Sequence, residues 1–214
     1  MADVPTPMRA LFIQGARVIC DALADDAVGR AWDSPSVLEE QKVGGLAGHL
    51  ARGGVWVVDE YLTAPLPDTP FVGTVEDYFI EADQSLTADG HRQIRDRGAE
   101  IGSVGQTELV ASLSARLDAL VDRLAVEPAD RVVGVVFGAR TMLLDEYLKT
   151  RLVEQVVHLD DLARSLDRAP WPMPDEAMRL VIHIGADVGR LRAGATDMIR
   201  CLYRTHLAPV LPVM

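Results

Sequence analysis

The chain has 214 residues and a formal net charge of −11, from 21 basic and 32 acidic side chains. That length buries a sizeable core within a single domain spanning 1–214, and the acidity argues against nucleic acid or an anionic membrane as a partner, because both are bound by basic surfaces. Its apolar runs, such as Val132 to Gly138 and Leu207 to Met214, fall far short of the roughly 20 residues that cross a bilayer; the start Met-Ala-Asp-Val-Pro-Thr-Pro lacks the basic opening of a signal peptide, so a cytoplasmic protein is expected.

Residues 8–30 carry Leu11, Phe12, Ala16, Ile19, Leu23 and Ala27 at three-to-four spacing and predict an amphipathic helix. After a turn at Asp33-Ser34-Pro35-Ser36, Val43, Leu46, Leu50, Val57, Val58 and Leu62 mark a glycine-rich second helix holding His49. Pro65, Pro67 and Pro70 make 63–83 a loop or short insertion. A third helical stretch covers 87–126, with Gly98, Gly102 and Gly105 as points where it kinks or splits. The β-branched run Val132 to Val136 has no evident pairing partner and reads as an apolar connector. A fourth helix over 141–166 is stopped by Pro170-Trp171-Pro172-Met173-Pro174, and a fifth runs from about 175 to 207. The expected class is all-α: a helical bundle with core 8–168 and an additional C-terminal helix.

Steps of three and four along the fourth helix align Tyr147, Arg151, Glu154, His158, Asp161 and Ser165, bordered by Leu144, Val157 and Leu162. A stripe so bordered is expected to be partly buried, and a buried carboxylate and imidazole need each other, a cation or a metal. Glu154 and His158 stand one turn apart, which is metal-ligand spacing. Taken alone, such a pair is more often part of a surface network, here Arg151, Glu154, His158 and Asp161. His49 alone is more often a packed core histidine. Its neighbours Gly45, Gly48, Gly53 and Gly54 strip away bulk, so that a ligand or another helix can approach. A third ligand from another helix would complete two nitrogens and one carboxylate, a set that leaves a position open in catalytic zinc sites. Asp161 is then the natural acceptor to orient the His158 ring, or else a solvated acid.

Of the remaining candidates, His91 reads as exposed, and His183 and His206 as packing or surface residues. Trp32, Trp56 and Trp171 are expected to pack or cap the bundle, with pocket lining as an alternative for Trp56 alone, two turns beyond His49. Arg190, Arg192, Arg200 and Arg204 read as a solvated basic face, with an acidic ligand as the alternative. Cys20 and Cys201 lie in apolar helical patterns and read as small buried residues, so any thiol chemistry would use a thiol from outside.

Trp32-Asp33-Ser34-Pro35-Ser36, the segment Val43 to Leu50 and the segment Tyr147 to Ala163 resemble, in that order, the DinB-like metal-binding four-helix-bundle superfamily, in particular its mycothiol-dependent maleylpyruvate isomerase branch. The resemblance implies a metal triad of His49, Glu154 and His158, with zinc first and nickel or iron as alternatives, since nitrogen and oxygen donors suit all three. It also implies mycothiol as a low-molecular-weight thiol cosubstrate, a small-molecule electrophile as its partner, and a homodimer built through bundle faces. Two departures accompany it. Gln41 stands where the family commonly has an aromatic residue, and the 56 residues after His158 accommodate one long helix better than the catalytic C-terminal domain of the isomerases. The implied activity is a metal-dependent, thiol-dependent transferase or isomerase, with Arg151 a further catalytic candidate. The alternatives are a hydrolase using metal-bound water and a non-catalytic metal-binding module.

Overall fold

The computed structural model describes residues 6–66, 68, 72–85, 87–135 and 140–204. Helix α1 (Pro7–Leu23) starts at Thr6, whose hydroxyl accepts from the Arg9 amide, and a short α2 (Asp26–Arg30) follows it. The glycine-rich segment forms α3 (Val43–Ala51), a π-helical turn (Arg52–Trp56) and α4 (Val57–Thr63). The expected third helix is divided into α6 (Ala88–Gly102) and α7 (Gln106–Val126) at Gly105, whose φ of 85° suits glycine. Helix α8 (Leu144–Ser165) carries the polar stripe. The last predicted helix is two, α9 (Asp175–Ala193) and α10 (Ala195–Tyr203), separated by Gly194 at φ 89°. His206 and the apolar tail from Leu207 lie outside the described residues.

Two sequence expectations are corrected. The 63–83 segment holds a helix, α5 (Val75–Ser85), opened by reciprocal bonds in which the Thr74 amide donates to Asp77 and the Asp77 amide to the Thr74 hydroxyl. It also holds β1 (Val72–Gly73), while the expected connector contains β2 (Val132–Val135). Both pair with β3 (Arg140–Leu143), residues that the periodicity assigns partly to the fourth helix. The order is β1-β3-β2, with Val72 opposite Thr141 in the parallel pair and Val133 opposite Met142 in the antiparallel one. The strand pairing is non-local, so hydrophobic periodicity does not reveal it.

The fold is an all-α, DinB-like bundle to which this small sheet is attached. Helix α1 packs on α8 and α7, and α3 closes the ring against α8 and α7. Phe12, Ile19, Leu46, Leu50, Leu113 and Leu148 meet in the shared core, all of them fully buried. Outside the ring, α6 lies on α3, and α9 covers α5 and α8 through Ile184, Val188, Phe79 and Val153.

The α3–α6 crossing is set by glycine. A Cβ at Gly48 would stand 2.3 Å from the Gly98 carbonyl oxygen, and one at Gly102 would stand 2.1 Å from that of Gly44. The bulk removed beside His49 therefore admits a neighbouring helix, and Gln41 lies over this crossing, with its Cγ 3.3 Å from a Cβ built on Gly45.

Candidate metal centre

Helix α3 brings His49 towards α8 next to the π-helical turn, a local widening that recurs at functional sites. From α8, Glu154 and His158 project one turn apart on the side facing α3. His49 Nε2 lies 3.3 Å from Glu154 Oε2, and His158 Nε2 lies 3.4 Å from the same oxygen. The two imidazoles stand edge to face, centroids 4.7 Å apart. One potential ligand atom from each of the three residues falls within 4.8 Å of the others, so residues 105 positions apart in the chain converge on one point.

The rest of the stripe supports this cluster. Asp161 Oδ2 lies 3.1 Å from His158 Nδ1, which leaves Nε2 directed at Glu154. Ser165 donates to the Asp161 carbonyl and accepts from the Val37 amide. Arg151, 5% exposed, donates from Nη1 to the Gly53 carbonyl at 3.0 Å and from Nη2 to the Tyr78 hydroxyl at 2.9 Å. Its guanidinium also lies over Tyr147 and Tyr78, and 3.9 Å from Glu154 Oε1. The stripe is thus largely enclosed, and the surface-network reading does not describe it.

Electrostatics follow from that enclosure. Burial opposes charge on Glu154, but hydrogen bonds from His158 and His49 and the nearby Arg151 cation hold its carboxyl well below the ordinary range. Burial likewise disfavours the His158 cation, yet the carboxylates of Asp161 and Glu154 raise it to about 9. Without a metal, His158 is therefore charged at neutral pH and bonds both carboxylates. Burial pushes the Tyr78 hydroxyl up to about 12, which keeps it protonated, and the Arg151 guanidinium stays cationic.

A cavity of about 410 Å³ opens beside the cluster, with His49, Gly53 and Glu154 in its wall; His158 is not among its lining residues. Tyr61, Tyr78, Tyr147 and Arg151 line it, together with Arg52, His91, Arg97 and Arg192. Sequence reasoning reaches His49, Glu154, His158, Asp161 and Arg151 but misses Tyr78, because the helix that carries it falls in the segment read as a loop. A hydroxyl three residues before an acid, here Thr74 and Asp77, is the signal that finds that helix. Trp56 packs as expected, 7% exposed in the core under the guanidinium of Arg116, and the pocket-lining alternative does not hold, because it is not among the cavity residues. Trp32 donates to the Gly102 carbonyl, and Trp171 lies under Arg168. His91 and Arg192 are both exposed as expected, and both border the cavity. Arg190 and Arg200 pair with Asp187 and Asp197 on their own helices.

Among the described residues no helix is long and apolar enough to cross a membrane. Neither the curated proteins nor the solved structures provide a match. The family model described as the mycothiol maleylpyruvate isomerase N-terminal domain matches residues 14–163, a span that contains His49, Glu154, His158 and Asp161 and leaves out α9 and α10. With 150 of its 214 residues matched, the chain belongs to the mycothiol maleylpyruvate isomerase N-terminal domain family.

Proposed function

We propose that this protein is a divalent-metal-dependent transferase or isomerase that uses a low-molecular-weight thiol, mycothiol by its family, against a small electrophile. His49, Glu154 and His158 would hold the cation, with zinc first among the candidates. One observation carries the reading. Two donor atoms each about 2.0–2.1 Å from a tetrahedral ion lie roughly 3.3 Å apart, and the separations from Glu154 Oε2 to the two Nε2 atoms are 3.3 and 3.4 Å. A charge-assisted hydrogen bond closes to about 2.7–2.9 Å, so these spacings favour an ion-binding arrangement over an optimised ion pair.

When bound, the cation supplies the positive charge that lowers a thiol's pKa from roughly 8.5 and makes thiolate available at neutral pH. The chain's own residues do the remainder. Asp161 fixes the His158 ring through Nδ1 and favours the tautomer with a free Nε2. Arg151 holds the Glu154 side of the site against the π-helical turn and keeps the Tyr78 hydroxyl at the cavity wall. The cavity of about 410 Å³ has room for a thiol head and a compact electrophile, and its apolar walls limit water. Neither cysteine is a convincing nucleophile: Cys20 is absent from the cavity and burial pushes its thiol up to about 11. Helices α9 and α10 are read as part of the same domain, because α9 packs on α5 and α8 and Arg192 borders the cavity. Dependence on a reduced thiol pool fits a cytoplasmic location.

The test is thiol consumption by metal-loaded protein with mycothiol and a panel of neutral and acidic electrophiles, repeated after chelation. Conjugation or isomerisation that needs both thiol and metal is expected. Turnover without any thiol would replace this reading with hydrolysis, and full metal occupancy without turnover would replace it with a metal-stabilised binding module.

A further inference from the structure

Two side chains of α8, Arg151 and Gln155, stand one turn apart and both bond the π-helical turn. Arg151 Nη1 donates to the Gly53 carbonyl at 3.0 Å, and Gln155 Nε2 donates to the next carbonyl, that of Gly54, at 2.8 Å. The Gln155 amide also reaches α1, where it donates to the Phe12 carbonyl at 3.4 Å. Gln155 is fully buried, and its Oε1 has no hydrogen-bond partner among the described residues. Helix α1 makes room for that oxygen at Gly15, where a Cβ would stand 2.1 Å from it. A buried amide with an unpaired acceptor is costly at a core position that an apolar side chain of similar volume could fill. Stability alone therefore does not account for Gln155; what an apolar side chain would lack is its bond to the turn.

That turn borders the triad. It is wider than an α-helical turn, with the Val57 amide bonded to the Arg52 carbonyl five residues back. His49 stands three residues before it. A Cβ on Gly53 would lie 3.5 Å from both Glu154 Oε2 and His49 Cε1, and 3.6 Å from His49 Nε2, so the turn's backbone packs against the atoms proposed as ligands. Ordinary α-helical register carried through the turn would set His49 about 100° further round the helix, the angle of one residue, and away from Glu154. We propose that Gln155 is a positioning residue of the metal centre: by holding the Gly54 carbonyl it keeps the turn wide, and with it the His49 ring on Glu154. The proposal rests on the triad reading for what His49 does there; the hold on the turn needs no metal.

The experiment compares wild type, Gln155→Met and Leu23→Ala after chelator treatment. NMR of the metal-free proteins reads the turn and the His49 ring, and titration with cobalt(II), followed by its visible ligand-field bands, reads the centre. Methionine keeps the length of glutamine but donates no hydrogen bond, while Leu23→Ala, in the buried core of α1, controls for lowered stability alone. In Gln155→Met, the turn amides up to Val57 should exchange with solvent at least about tenfold faster, and the His49 ring-nitrogen resonances should move. Cobalt should bind this variant at least about tenfold more weakly, with altered bands. Leu23→Ala should keep the wild-type His49 resonances, cobalt affinity and bands. Gly15→Ala, which displaces the same amide without altering Gln155, should move every measurement in the direction of Gln155→Met. Unaltered turn exchange or His49 resonances in Gln155→Met would overturn the proposal, as would unchanged cobalt binding or an equal loss in Leu23→Ala. A wild type that takes up no cobalt would sink the triad reading instead, and the NMR comparison would still decide whether Gln155 holds the turn and His49.

Discussion

Replacing Gly48 by alanine alters no proposed ligand, yet it should damage the site. The added methyl would stand 2.3 Å from the Gly98 carbonyl oxygen and 2.7 Å from the Gly102 amide nitrogen, both backbone atoms that cannot rotate aside. Helices α3 and α6 must therefore separate by about 1 Å to restore ordinary contact. Overpacking of this kind costs about 3 kcal/mol at its upper end, and the better helix propensity of alanine returns about 1 kcal/mol. The net loss of about 2 kcal/mol corresponds to roughly 4–8 °C in Tm for a chain of this length. Because His49 is the next residue, the same displacement draws its Nε2 away from Glu154, and metal affinity should fall at least about tenfold. Gly45→Ala is the matched control, since its nearest neighbours are the Gln41 side chain at 3.3 Å and the Ala99 backbone at 3.6 Å. Urea unfolding with an unchanged m-value, alongside metal titration, reads both effects. Equal stability and metal affinity in Gly48→Ala and Gly45→Ala would refute the claim that this glycine contact positions His49.

Arg151→Met removes the cation from a buried network and takes its donors from the Tyr78 hydroxyl, the Gly53 carbonyl and the Glu154 side of the site; it should cost about 3 kcal/mol by chemical denaturation, and a loss under about 1 kcal/mol would contradict the enclosed arrangement. In metal-free protein, His158 is raised from its ordinary 6.5 to about 9, so its contribution to stability is whole below pH 6.5 and lost as pH climbs to about 9. Scanning calorimetry should show the wild type losing stability over that interval relative to His158→Gln, and parallel profiles would count against the Asp161–His158–Glu154 chain. With its thiol pushed up to about 11, Cys20 should alkylate far more slowly than a free cysteine at pH 8, and Cys20→Ser should leave thiol-dependent turnover unchanged.

The helices that build the bundle are legible because each repeats apolar residues at three-to-four spacing, as Phe12, Ala16 and Ile19 do in α1 and Leu109, Leu113, Leu117, Leu120 and Leu124 in α7. The sheet is not, because β2 acquires its meaning only from β3 and β1, which lie elsewhere in the chain. Helix α5 is hidden by the prolines before it, although its Thr74–Asp77 start is a local signal. Gly194 is visible in the sequence but its φ of 89° is not, so one expected helix is in fact two. In the candidate site, the burial of Arg151 and Asp161 and the partial burial of Glu154 follow from the leucines and valine beside them. The convergence of His49 with α8 depends on a three-dimensional crossing, and the resemblance to a known family supplies that expectation. Arg97 carries no distinguishing pattern in sequence, Arg192 stands out only as one of a basic series, and the cavity is what joins them.

The central claim is that His49, Glu154 and His158 together hold one divalent ion, and metal analysis of purified protein tests it most directly. Wild type should carry about one equivalent per chain, while His49→Ala and Glu154→Gln, with circular dichroism unchanged, should each retain less than about a tenth of it. Metal content in either variant equal to that of the wild type would contradict the account.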